Sequence, residues 1–65
     1  MNRLSELRAL RGMTQQQLSE KSGVHRVAIA RLEAGKRQIE SVSFSTALAL
    51  AAALDVDPRD LINRE

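Results

Sequence analysis

The chain has no cysteine, no tryptophan, no tyrosine, one phenylalanine (Phe44), one proline (Pro58) and three glycines in 65 residues. Each shortage removes a class of protein. Without cysteine, neither a disulfide nor a thiolate metal site can hold a small fold together. One histidine, His25, leaves too few ligands for zinc, so neither a metal nor any other cofactor is expected. A lone aromatic cannot build the stacking platforms on which proteins bind single-stranded nucleic acid. No apolar run approaches the roughly 20 residues of a membrane-spanning helix. The opening MNRLSELRAL carries polar groups at every second or third position, unlike a signal peptide, so a cytoplasmic chain is expected. Material for catalysis is also missing. His25 has no acid at a recognisable spacing, and Asp55, Asp57 and Asp60 gather beside Pro58 as a helix cap does, not as a metal loop. No enzyme is expected.

What is present is helical. Asn2 is placed to cap a first helix that runs to about Arg11, with Leu4, Leu7 and Leu10 giving an apolar stripe and Gly12 ending it. Thr14 opens a second helix with two independent signals. Thr14 and Gln17 fit a capping box, and Met13 with Leu18 fits a hydrophobic staple. Gly23 stops that helix, and a third follows within two residues, with Val24, Ile29 and Leu32 on its buried face. So short a turn forces a sharp angle between the two helices. Lys36 to Val42 reads as a loop from which Ile39 tucks back onto the core. Ser43 caps a fourth helix, Phe44 to Leu54, whose nearly apolar composition predicts a central, buried position. Asp57 caps a short fifth helix with Pro58 at its first position. The expectation is one all-α domain over residues 1–65, five helices with short connections and no strands.

Charge is unevenly placed. Residues 1–37 hold eight Lys and Arg against three Glu, and residues 38–65 hold two Arg against five acids. A basic front half suggests a polyanion on one side of the molecule. The third helix sharpens this, because its own apolar residues do not claim Arg26 and Arg31. Two helices meeting at a glycine turn, the second with basic groups facing out, form the arrangement by which small proteins enter the DNA major groove.

The ordered set of residues carries a resemblance. Arg8, Thr14-Gln15, Leu18-Ser19, Gly23-Val24, Ile29, Leu32-Glu33-Ala34-Gly35-Lys36, then Ala52-Ala53-Leu54-Asp55-Val56 and Leu61-Ile62 run through nearly the whole chain. In this order they resemble the phage repressor/Cro-like, or Xre, helix-turn-helix family. Asp55 stands where that family commonly has glycine, and the loop from Arg37 to Val42 is longer than its commonest form. The resemblance implies a repressor-like domain that binds double-stranded DNA sequence-specifically, as a transcriptional regulator, with the third helix in the major groove. It places His25, Arg26, Val27 and Arg31 against base edges, and Gln15, Lys36 and Arg37 against phosphates. His25 has the alternative role of capping the third helix. Arg8 and Glu33 resemble the family's partly buried ion pair, which is structural. A homodimer is also implied, formed by the loop, the fourth helix or the fifth, with Leu61 and Ile62 as the expected patch. A second reading is a protein-interaction module, antitoxin-like or an accessory subunit, with another protein as the partner.

Overall fold

Local signals at the helix starts fix the architecture. In the computed structural model, residues 2–62 are described; residues 1 and 63–65 of the expected domain lie outside them. Four α-helices follow one another: α1 (Arg3–Leu10), α2 (Gln15–Ser22), α3 (Arg26–Glu33) and α4 (Phe44–Leu54). Two 3₁₀ turns, Ile39–Ser41 and Pro58–Leu61, complete the described residues, which contain no strand.

Each start is capped as its residues dictate. At α2 the Thr14 hydroxyl accepts the Gln17 N–H, and the Gln17 side chain accepts the Thr14 N–H at 2.8 Å. Asn2 and Ser5 form the equivalent reciprocal pair at α1. Ser43 caps α4 by accepting from the Thr46 N–H. Gly23, at φ 77°, takes the left-handed conformation that ends α2 and turns the chain into α3.

One apolar cluster unites the elements. Leu4 and Leu7 of α1, Leu18 of α2, Ile29 and Leu32 of α3, Leu50, Ala51, Ala53 and Leu54 of α4, and Leu61 are all buried. Ile39, Met13, Val24 and Val56 pack against them. Leu10 departs from the expected stripe and is 74% exposed. Steps of three residues fall about 60° short of a full turn each time, so the third leucine rotates off the buried face. A similar rotation corrects the expectation for α4. Its buried side is Leu50, Ala51, Ala53 and Leu54, whereas Phe44 is 74% exposed and Leu48 is also exposed. Apolar composition all round α4 therefore does not mean burial all round.

The expected fifth α-helix is a single 3₁₀ turn, because after Leu61 the backbone of Ile62 is already extended. Asp57 caps that turn and also holds the Arg59 guanidinium at 3.0 and 3.1 Å. The Arg59 hydrogen bonds hold the Asp57 carboxyl at about 2, below the usual carboxylate range.

Asp55 ends α4 at φ 56°, the one described non-glycine residue in the left-handed region. Arg11 reaches across to this end, its Nε donating to the Leu54 carbonyl at 2.7 Å and its Nη2 to the Asp55 carbonyl at 3.3 Å. Both bonds use backbone oxygens, so they survive a change of the Asp55 side chain. Asp55→Gly is expected to raise stability by about 0.5–1 kcal/mol, seen as a higher thermal midpoint, because glycine removes the left-handed penalty.

Candidate nucleic-acid interface

The interface begins with how α3 is held. Its N-terminus is capped by His25, whose Nδ1 accepts the Val27 N–H at 3.1 Å. Its C-terminus is held from α1 twice. The Asn2 side-chain amide donates to the Leu32 carbonyl. Arg8 meets Glu33 side-on, Nε to Oε2 at 2.7 Å and Nη2 to Oε1 at 2.9 Å, and its Nη1 donates to the Met13 carbonyl at 2.7 Å. The Glu33 bond raises the Arg8 pKa. Gln15, at the start of α2, adds a third donor to the same carboxylate, Nε2 to Oε1 at 3.2 Å. One acidic side chain thus ties α1, α2 and α3 together.

With its inner face and both ends engaged, α3 presents Arg26, Val27 and Arg31 outward, and Ala34 just after it is also exposed. Val27 is 42% exposed. Lys36 and Arg37 follow directly, their backbone N–H groups turned onto the Arg31 carbonyl at 3.0 and 3.3 Å, and both side chains are exposed. Among the described residues, none of the Arg26, Arg31, Lys36 and Arg37 side chains makes a hydrogen bond or ion pair within the chain. The arginines of α1 and its C-cap contrast with them. Arg3 donates to the Asp60 carbonyl, Arg8 is bound to Glu33, and Arg11 closes α4. The structure therefore leaves Arg26, Val27, Arg31, Lys36 and Arg37 exposed on and just after α3 and sets Gln15 inward against Glu33. The contacts of Asn2 with Leu32 and of Arg11 with Leu54 were not readable in the sequence, since each spans many residues and follows no local spacing.

Among the described residues no three His, Cys, Asp or Glu side chains gather, and no helix is long and apolar enough to cross a membrane. The sequence model of the helix-turn-helix family matches residues 4–61. The chain belongs to the Xre-like helix-turn-helix family. It is thereby a sequence-specific DNA-binding transcriptional regulator. Among solved structures, this helix-turn-helix chain is similar to the restriction-modification controller protein C.AhdI from Aeromonas hydrophila, with 42% identity and a TM-score of 0.81. The alignment covers 92% of this chain and 86% of that one. Among curated proteins none matches.

The bond pattern around Glu33 predicts unequal losses. Arg8 is 21% exposed and Glu33 only 7%. Arg8→Ala strands a nearly buried carboxylate with Gln15 alone, and is expected to lower unfolding free energy by roughly 3 kcal/mol. Glu33→Ala should cost less, because the Arg8 guanidinium keeps the Met13 carbonyl and some water. Urea denaturation of both single variants and the double variant checks this; the double loss should fall short of the sum.

Proposed function

We propose that this regulator binds DNA as a homodimer, with α3 of each protomer in the major groove, and that it controls a restriction-modification system. One observation carries the DNA reading: the arginines of α1 and its C-cap are engaged within the fold, while the basic groups on and just after α3 have no partner among the described residues. On this reading Arg26 and Arg31 donate to guanine O6 and N7, Val27 packs on a base, and His25 caps α3 while its free Nε2 faces the groove. Lys36 and Arg37 hold phosphates beyond the C-terminus of α3. Gln15 serves twice, giving one amide hydrogen to Glu33 and the other to a phosphate near the α2 N-terminus. The controller role rests on the 42% identity with C.AhdI over nearly the full length of both chains.

Selection of bound sites from random duplexes, followed by titration at several salt concentrations, tests this reading. Arg26→Ala and Arg31→Ala should each cost about 1–3 kcal/mol on the selected site and relax preference there. Lys36→Ala should weaken all duplexes alike and reduce the salt slope by about 1. Unchanged affinity and preference in both arginine variants would remove α3 from the interface.

The dimer uses a face away from these residues. Leu61, expected to contribute, is buried in the core. Away from α3, Leu10, Phe44, Leu48 and Ile62 are the exposed large apolar groups, and Phe44 and Ile62 line a groove of about 300 Å³ together with Ile39, Val42, Ala47 and Pro58. Glu40 and Arg59 flank the groove, one charge of each sign. A two-fold axis sets a patch against itself, so this balance avoids repulsion and lets each Phe44 seat in the other copy's groove. Phe44→Glu should shift sedimentation toward the monomer and weaken operator binding at a given protein concentration, with helical content unchanged.

A further inference from the structure

The outward face of α3 has an unusual chemical limit: it offers donors and methyl groups, but no side-chain hydrogen-bond acceptor. Arg26 and Arg31 are donors only. Val27, Ala30 and Ala34 carry no polar side-chain atom. The acceptor nitrogen of His25 is already taken by the Val27 N–H, which leaves Nε2 to donate. The single acid of α3, Glu33, is turned inward and bound by Arg8 and Gln15. In the major groove, cytosine offers a donor, and adenine is read bidentately by a side chain that both donates and accepts. Neither contact can be made from this face. Guanine offers two acceptors, and thymine an acceptor and a methyl group.

Spacing adds a second constraint. Val27 and Arg31 stand four residues apart, one turn along the same exposed ridge, which is about 6 Å of helix axis. Successive bases on a strand rise about 3.4 Å. Alanines at 30 and 34 keep the face beside this ridge low, so the backbone of α3 can approach the bases closely. Val27, whose branched side chain has few rotamers, sits in the first turn, the part of a recognition helix that meets base edges.

We propose that α3 reads each half-site as guanine and thymine edges alone, with a thymine methyl under Val27 and the guanine of Arg31 about two base steps from it. This rests on α3 being the helix that reads the groove. It makes Val27 a specificity-determining residue and names the base chemistry of the operator.

The test uses the full chain and a duplex taken from the selection, with single-base changes in one half-site. Replacing the thymine by deoxyuridine removes only the methyl group. Affinity of the unaltered protein should fall roughly fourfold, the transfer worth of one buried methyl. Val27→Ala should bind the two duplexes equally. Replacing the guanine by 7-deazaguanine should cost roughly tenfold, and should cost Arg31→Ala nothing. If the arginine variants lose binding but no thymine of the half-site responds to deoxyuridine, the Val27 assignment falls and the α3 reading stands. If Arg26→Ala and Arg31→Ala leave affinity and preference unchanged, both fall together.

Discussion

A carboxylate that is almost entirely withdrawn from water organises this molecule. Glu33 closes α3, yet its two oxygens receive Arg8 from α1 and Gln15 from α2. A buried charge is tolerated only where its partners are complete, and here the bidentate guanidinium supplies the geometry that a lysine could not. The same guanidinium binds the Met13 carbonyl, just before the Thr14 cap. Three helix boundaries therefore depend on one ion pair. Its consequence is orientation more than energy: α3 cannot roll about its axis without breaking the bonds at its C-terminal end. A helix that reads base edges needs that fixity, because misplacing a donor by about an ångström loses a bidentate contact.

The division of positive charge follows from this frame. An arginine has five donors, and the three arginines of α1 and its end spend theirs on backbone carbonyls and on the Glu33 carboxylate. Arg11 satisfies carbonyls at the C-terminus of α4, where the left-handed Asp55 has stopped the helix. Net charge counted along the sequence hides the distinction between such groups and those left over. The excess of the first 37 residues is not one basic surface. It is three arginines bonded within the fold, an exposed Lys21 on α2, and the exposed basic groups of α3 and the residues that follow it.

Local signals were legible in the sequence, and contacts between distant residues were not. The Thr14–Gln17 box, the Ser43 cap and the glycine stop at Gly23 involve residues within a few positions of each other, so their chemistry alone decides them. Two expectations failed for one reason. Three-residue spacing puts Leu10 on an apolar stripe and apolar composition puts Phe44 in a buried helix, but burial follows angle around the helix, and both lie off the face that meets the core. The fifth helix shrank to one turn because a proline start and an aspartate cap determine where a helix begins, not how far it continues. On the candidate interface, the outward placement of Arg26 and Arg31 was legible as their absence from the apolar register. The inward bond of Gln15 was not, since its partner lies 18 residues away.

Size couples the two exposed features that the fold leaves. A chain of 65 residues has room for one small core, and α4 meets it with only one of its faces. The other face keeps Phe44 and Leu48 in water. A single short helix touches few base pairs, too few to select one site among the many competing sequences of a genome. In the proposed dimer, pairing two copies through α4 would double the bases read and cover the apolar surface in the same step. In that dimer the gain from linking two half-site contacts would depend on protein concentration. Occupancy of a two-part site would then rise more steeply than in simple proportion to the amount of protein, a property that rests on the apolar face around Phe44 left outside the core.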